Sequence, residues 1–341
     1  MLKDVDPLLV KKYTTLWSGY SKNVNIEWLK HCLYVTGESD FRFVPFDIYN
    51  CCIEPVLNNK RFLKGVADKN FLDIFYPEFK KPKVLIRFID GVFYDSSYNR
   101  INNQILSEKV ADQQLLTEGS KFILKPATDS GQGKSIELLY FKKGEFNNQK
   151  NEPVSLIDLK HLINDDFLIQ EYIQQHECTS RFNPSSLNSI RVYVYRSVKD
   201  DTIVPLHFMQ RIGTKGRITD GEVCIGIERN GSYRNYFIDK SGNRLPSLNG
   251  LTTDGLGKFQ FTDQLADLAV KVARKNIHSR VLGLDFAINR EGEIILIEVN
   301  NISIGIRKTQ LSNGPLFGNY TEEIIDYSLK NKCSFSFYFD L

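Results

Sequence analysis

The sequence predicts an α+β fold with a mainly helical segment at its N-terminus. Three observations carry this. Leu8, Leu9, Tyr13 and Trp17, then Ile26, Trp28, Leu29 and Leu33, recur at helical spacing. From Lys83 onward, short apolar runs are separated by polar turns, as strands and hairpins require. Residues 1–60 show no strand–helix–strand repeat of the dinucleotide-binding kind.

The bulk properties narrow the class. A chain of 341 residues fits two or three packed subdomains. With 42% apolar and 25% charged residues it can build a sizeable core. The net charge of +3 arises from nearly matched acids and bases, unlike the dense basic stripe of a nucleic-acid binder. Cys32, Cys51, Cys52, Cys178, Cys224 and Cys333 form no CxxC pair, so zinc-ligand spacing is absent and free thiols in a reducing compartment are expected. The opening MLKDVDPLLVKKYTTLW carries acids and no continuous apolar stretch, which does not read as a secretory signal. No run approaches the ~20 apolar residues that cross a bilayer. A cytoplasmic chain without a membrane span is expected.

The elements follow in order. Pro45 and Pro55 interrupt the text after the second helix. Asp68 is an N-cap candidate for a helix opening at Lys69-Asn70-Phe71-Leu72. Residues 83–88 and 91–95 read as strands, 101–119 as a polar helix, and 121–126 and 136–141 as strands joined by a glycine loop. Residues 156–163 read as a helix and 167–173 as a buried strand. In 188–196, Ile190, Val192 and Val194 alternate with Arg191, Tyr193 and Tyr195. Residues 203–212 form another strand, 213–260 loops with short strands, and 263–277 a helix with an apolar stripe. Strands 283–289 and 294–300 close a hairpin through Arg290-Glu291-Gly292-Glu293.

That hairpin carries the sharpest chemical signal. Side chains alternate faces along a strand, so Asp285 lies opposite to the face of Leu284, Phe286 and Ile288. In the return strand, Leu296, Glu298 and Asn300 share one face, and Ile295, Ile297 and Val299 the other. Closure by the four-residue loop puts Asp285 across from Glu298. Cross-strand Cβ atoms are only ~5 Å apart, and two carboxylates that close repel unless a cation lies between them. Asn300 adds a neutral oxygen. Oxygen donors without His or Cys favour Mg²⁺ or Mn²⁺.

Lys125 ends a strand and faces the stretch Ala127-Thr128-Asp129-Ser130-Gly131-Gln132-Gly133-Lys134. Such a loop lets backbone amides approach phosphate oxygens without a Cβ in the way. The lysine precedes the glycines, so this is not a Walker A loop. Taken alone, the loop reads first as a plain hairpin turn, and the strand Phe167–Ile173 first as a core strand.

Together and in this order, the pieces resemble the ATP-grasp superfamily. Asp68-Lys69-Asn70 resembles its first phosphate-lysine segment and Lys125 the second lysine, with Ser130, Gly131 and Gly133 in the flexible loop. Gln170-Glu171-Tyr172-Ile173 is similar to the adenine hinge, with Glu177 as the ribose acid. Asp285, Glu298 and Asn300 match the metal triad. ADKNFLDIFYPEFKKPKVLIRFIDGVFYD and LIQEYIQQHECTSRFNPSSLNSIRVYVYRS resemble, more narrowly, the sugar-transfer-associated ATP-grasp group found with surface-polysaccharide genes. By that likeness Arg191 touches the ATP phosphates or the developing acyl phosphate, while Asn188 and Ser189 shape the same strand end. One departure is Gly221-Glu222-Val223-Cys224-Ile225-Gly226, where the family carries an Asn beside a Gly-Gly pair; this leaves the acceptor contact there open.

The resemblance implies five parts: a helical segment at 1–60, a first ATP-grasp part at 61–120, a glycine-loop lid at 121–175, a C-terminal subdomain with the metal site at 176–330, and a tail at 331–341. It implies ATP and Mg²⁺ as cofactors. The implied reaction joins a small-molecule or glycan-precursor carboxylate to an amine, through an acyl phosphate. Phosphorylation of a sugar hydroxyl, or nucleotide binding without catalysis, are the alternatives on the same scaffold.

Overall fold

The computed structural model describes residues 5–59, 64–101, 115–128, 136–214, 218 and 223–331. The chain opens with helices α1 (Pro7–Trp17) and α2 (Ile26–Thr36). Asp6 and Asn25 cap them, each side chain accepting a free backbone N–H of the first turn. Gly37 closes α2 in the left-handed region at φ 72°, where a Cβ would be strained. A helical stretch from Phe46 to Leu57 follows, with a π turn at Tyr49–Ile53.

Two antiparallel sheets make up the rest. The smaller has six strands in the order β2-β1-β6-β3-β4-β5. They are β1 (Val84–Ile89), β2 (Val92–Asp95), β3 (Lys121–Pro126), β4 (Glu137–Lys142), β5 (Glu145–Asn147) and β6 (Phe167–Glu171). Helix α3 (Leu156–Ile163) covers one face through Leu156 and Leu159, which pack with Phe88, Phe122, Leu124 and Ile169. Ser155 and Asp158 close a reciprocal capping box at its start.

The larger sheet has seven strands, ordered β11-β10-β9-β8-β7-β14-β15. These are β7 (Ile190–Arg196), β8 (Ile203–Ile212), β9 (Val223–Ile227), β10 (Phe237–Ile238), β11 (Arg244–Leu245), β14 (Val281–Ile288) and β15 (Ile294–Asn300). A separate short pair, β12 (Ser247–Leu248) and β13 (Leu251–Thr252), stands apart from it.

The alternation in β7 decides how this sheet is covered. Ile190, Val192 and Val194 pack beneath helix α4 (Thr262–Lys275), against Leu265, Ala269 and Val272. Tyr193 and Tyr195 take the other face and meet Tyr13, Trp17, Leu29 and Phe43 of the N-terminal segment. Helices α5 (Arg307–Asn313) and α6 (Thr321–Lys330) complete that layer with Leu311, Ile324 and Ile325. The N-terminal helices are therefore part of the wall of the larger sheet. Among the described residues, no helix is long and apolar enough to cross a membrane.

Two expectations need correction. Most of the polar helix expected at 101–119 lies outside the described residues, but 116–120 holds a turn at 118–119 and no helix. Thr117 and Ser120, bonded hydroxyl to hydroxyl at 2.6 Å, stabilise a turn there. The second correction concerns the phase of β15. A bulge between the pairs Asp285–Glu298 and Phe286–Leu296 inserts one residue into β15. Leu296 consequently joins Phe286 and Val299 under α4, while Ile295 and Ile297 turn to the side of Ala287. Leu296 and Glu298 do not share a face.

Candidate functional site

Three zones follow one another along the same face of β14. Val281 packs into the N-terminal layer, Asp285 lies in the middle, and Ala287 meets Ile173 and Ile295 at the far end. Asp285 is thus a buried carboxylate between two apolar zones. The expected pairing holds: Asp285 stands directly opposite Glu298. On its other side Asp285 is paired with Arg191 of β7.

A buried carboxylate needs counter-charge. Arg191 supplies a two-pronged contact, Nε to Oδ1 at 2.7 Å and Nη2 to Oδ2 at 2.5 Å. Arg211 of β8 adds Nη1 to Oδ2 at 2.8 Å. Burial works to raise the Asp285 carboxyl, and Arg191 and Arg211 outweigh it, holding the group below the usual carboxylate range. Gly283, two residues earlier, keeps this corner open: a Cβ there would lie 3.2 Å from Ile304 Cγ2 and 3.6 Å from Arg191 Cδ.

Glu298 has a separate partner. Lys69 Nζ lies 3.0 Å from its Oε1 and donates to the Ala127 carbonyl at 3.3 Å. Burial raises Glu298 and Lys69 lowers it, with a net shift below its ordinary value. Lys69 is held from both sides. Asp68 caps its turn by accepting from Asn70 N at 2.8 Å. The Asn70 carbonyl accepts from Arg87 and from Tyr98 Oη, the latter at 2.7 Å. Arg87 is buried, stacks over the Tyr98 ring at 4.3 Å and pairs with Asp73.

Lys125, at the end of β3, is 6% exposed. Burial, reinforced by the neighbouring charge of Lys69 and opposed by Glu298, pushes its ammonium down to about 7. The structure thus gathers Lys69, Lys125, Arg191, Asp285, Glu298 and Asn300 around one end of the hairpin. Asn300 Nδ2 reaches the Gly283 carbonyl at 3.2 Å and Asp285 Oδ2 at 3.4 Å.

The donor set fits a hard divalent cation. Two facing carboxylates, with no His or Cys among them, are donors that such a cation takes, and the Asn300 amide, its nitrogen toward Asp285, stands beside them. Among the described residues no group of three or more His, Cys, Asp and Glu side chains could hold a metal, so a cation here depends on Asn300 as well.

The hinge residues divide. Ile173 packs with Ala287 and Ile295, and Leu187 and Ile297 border that cluster, an apolar patch beside the charged centre. Gln170 is buried in β6. Tyr172 donates its backbone N–H to the Lys121 carbonyl at 3.1 Å. Glu171 accepts from the Lys83 amide at 2.9 Å through its carboxylate, just before the start of β1. Glu177, itself exposed, opens the turn Glu177–Ser180, capped by His176. Ser130, Gly131 and Gly133 lie outside the described residues.

Arg211 is the residue that sequence reading missed. Half of its signal lies in the sequence, where Met209 and Arg211 alternate with Phe208 and Gln210; the other half is the pairing of Met209 with Arg191, which only the fold supplies. The strand 203–212 therefore sends a second arginine to the face of the first.

The sugar-transfer-associated ATP-grasp family model matches residues 49–324, and the chain belongs to that family. No curated protein matches it in sequence. Among solved structures, the ATP-grasp ligase PsnB complexed with minimal precursor is 12% identical, with a TM-score of 0.45 over 80% of this chain and 63% of that one. The D-alanine-D-alanine ligase from Coxiella burnetii is 9% identical, with a TM-score of 0.41 over 78% and 57%. Biotin carboxylase from Campylobacter jejuni is 13% identical, with a TM-score of 0.45 over 80% and 47%. The chain spans less than two thirds of the length of each.

Proposed function

We propose that the chain is a Mg²⁺- and ATP-dependent carboxylate–amine ligase that forms ADP and acts on a precursor of a cell-surface polysaccharide. The observation that carries this reading is the placement of Arg191, Arg211 and Lys69 on the facing carboxylates Asp285 and Glu298, with Lys125 buried beside them. A cluster so rich in cations suits a polyphosphate, and the facing acids suit the metal that accompanies one. The carboxylate to be activated is that of a uronic acid or an amino acid, a substrate class taken from the family's association with sugar transfer.

The chemistry needs positioning and charge neutralisation, with no covalent enzyme nucleophile. Lys69 and Lys125 hold phosphate oxygens, and the family resemblance assigns Ser130, Gly131 and Gly133 to the same phosphates. The hinge at Gln170, Glu171, Tyr172 and Ile173 seats the adenine, and Glu177 takes the ribose. The substrate carboxylate oxygen bonds to the γ-phosphorus as the bond to ADP breaks. Arg191 and Arg211 neutralise the charge on that phosphoryl group. The amine then bonds to the acyl carbon and inorganic phosphate leaves. Asp285, Glu298 and Asn300 would hold Mg²⁺ or Mn²⁺, which would supply charge neutralisation for the phosphates. Water has to be kept from the acyl phosphate, which it would hydrolyse.

Calorimetry with a non-hydrolysable ATP analogue and Mg²⁺ tests the site. Metal-dependent binding is expected for the wild type and not for Asp285→Asn/Glu298→Gln; no binding by the wild type would sink the reading. ADP release with uronic acids or amino acids, performed in hydroxylamine, tests the reaction. A hydroxamate marks an acyl phosphate, whereas ADP release without one marks phosphorylation of a hydroxyl.

A further inference from the structure

The larger sheet carries a second concavity, on the face away from Asp285. Helix α4, residues 78–80 and the turn between β14 and β15 enclose a groove of about 830 Å³. Its floor is apolar, formed by Phe79, Leu268, Phe286, Ile294 and Leu296. Phe286 follows Asp285 in β14, so strand alternation separates this groove from the candidate nucleotide site by the thickness of the sheet.

The rim is cationic. Lys80, Lys271, Arg274 and Lys275 border the groove, with Glu78 and Glu293. Lys275 is matched by Glu78 at 2.9 Å and Lys80 by Glu293. Lys271 and Arg274, three residues apart on the exposed side of α4, have no ion-pair partner among the described residues. They leave the rim with a positive excess.

Beside this rim stand three large apolar side chains. Ile277 is 68% exposed, Ile74 56% and Phe75 39%. They belong to one edge: Lys275 Nζ donates to the Phe75 carbonyl at 3.3 Å, and Tyr76 Oη donates to Asn276 Oδ1 at 2.9 Å. Apolar side chains kept in water next to unmatched cations form the pattern of a surface that meets an amphiphile with an anionic head. An acidic protein patch would answer the cations and leave the apolar edge and groove unused.

We infer that this face docks onto an anionic lipid bilayer, with Ile74, Phe75 and Ile277 at the headgroup boundary, Lys271 and Arg274 on lipid phosphates, and the groove receiving an acyl chain. Charge complementarity selects the bilayer, since the negative potential of an anionic leaflet acts on juxtaposed Lys and Arg. The inference stands independently of the proposed ligase reaction, because none of its residues touches that site.

Co-sedimentation of the full chain with phosphatidylcholine vesicles, with and without phosphatidylglycerol, tests it. Binding is expected only with the anionic lipid, weakening as salt rises. Lys271→Glu/Arg274→Glu should lower partitioning on the order of tenfold or more. Phe75→Ser/Ile277→Ser should lower it as well, with unchanged thermal unfolding showing that both variants fold. No binding, equal binding to both vesicle types, or wild-type binding by both variants would overturn the inference. So would binding of monomeric dodecyl phosphate without binding of vesicles, which would make the groove a site for a free amphiphile.

Discussion

Asp285 and Glu298 face each other across the β14–β15 hairpin, yet each is neutralised from a different part of the chain. Arg191 and Arg211, from neighbouring strands of the same sheet, hold Asp285. Lys69, from the segment leading into the smaller sheet, holds Glu298. The hairpin is where charges from both halves of the molecule meet.

Asp285→Asn should therefore cost stability as well as ligand binding. It leaves Arg191 and Arg211 without their charge partner, a change worth roughly 3 kcal/mol at a buried pair. The pH dependence has a definite sign. The folded carboxyl lies below its ordinary value, because Arg191 and Arg211 outweigh the opposing effect of burial. Between the folded value and the unfolded value of ~3.9 the unfolded chain binds more protons, so this contribution is present above ~3.9 and lost as pH falls through the folded value. Urea unfolding of wild type and variant at pH 3 and pH 7 checks this: the difference between them should shrink at the lower pH.

Arg87 and Tyr98 set the position of Lys69 without touching Glu298. Tyr98→Phe removes the hydroxyl whose single proton is shared between the Asn70 carbonyl and Asp73 Oδ1, each 2.7 Å away. The expected loss of stability is about 1 kcal/mol, typical of a hydrogen bond. Arg87→Met should cost more, since the buried Asn70 carbonyl and the Asp73 carboxylate both lose a donor. If Lys69 binds phosphate, both variants should weaken binding of the ATP analogue while leaving its dependence on metal intact. Calorimetric titration at several Mg²⁺ concentrations measures the two effects separately.

The facing pair was legible in the sequence because strand period and loop length alone place Asp285 against Glu298. The bulge was not, since strict alternation carries no sign of an inserted residue; the phase of Leu296 was misread for that reason. Arg191 was found through a stretch resembling a known family. Arg211 needed only the pairing of two strands, a long-range fact that no local motif in 203–212 announces. At the described end of the tract expected as helix, 116–119, a turn stands instead, because polar helix and polar loop share a composition. What the N-terminal helices cover was invisible until β7 displayed Tyr193 and Tyr195 toward them.

Asn58 ties the N-terminal segment to the two strands of the site. Its amide donates to the carbonyls of Val281 at 2.7 Å and Asn301 at 2.8 Å, and its oxygen accepts from the amides of Arg280 at 2.9 Å and Val281 at 3.0 Å. These groups lie at the start of β14 and just past the end of β15, so one buried side chain joins the open end of the hairpin. Asn58→Leu has similar volume but would strand buried polar groups of the backbone, at roughly 2–4 kcal/mol. Thermal unfolding should show a lower midpoint, and hydrogen exchange should accelerate at Val281 and its strand neighbours before it does in the smaller sheet. Uniform acceleration in both sheets would deny Asn58 this local role.

Lys125 offers a direct reading of ligand charge. Burial, helped by Lys69 and opposed by Glu298, puts its ammonium at about 7, so at pH 8 the side chain is mostly neutral in the free protein. Phosphate oxygens placed beside it favour the charged form and draw in a proton. Binding of the ATP analogue at pH 8 should then be accompanied by uptake of close to one proton, and at pH 6 by much less. Calorimetry in two buffers of different ionisation enthalpy measures this number. Lys125→Met should abolish the uptake and weaken binding. It should also stabilise the free protein at neutral pH, on the order of 1–3 kcal/mol, by removing a buried cation. The sign follows from linkage: from about pH 7 up to the unfolded value of ~10.4 the unfolded chain holds more protons at this site, so wild-type stability rises with pH and the advantage of the variant narrows. An uptake that persists undiminished in Lys125→Met would place the proton on another group and remove Lys125 from the phosphate site.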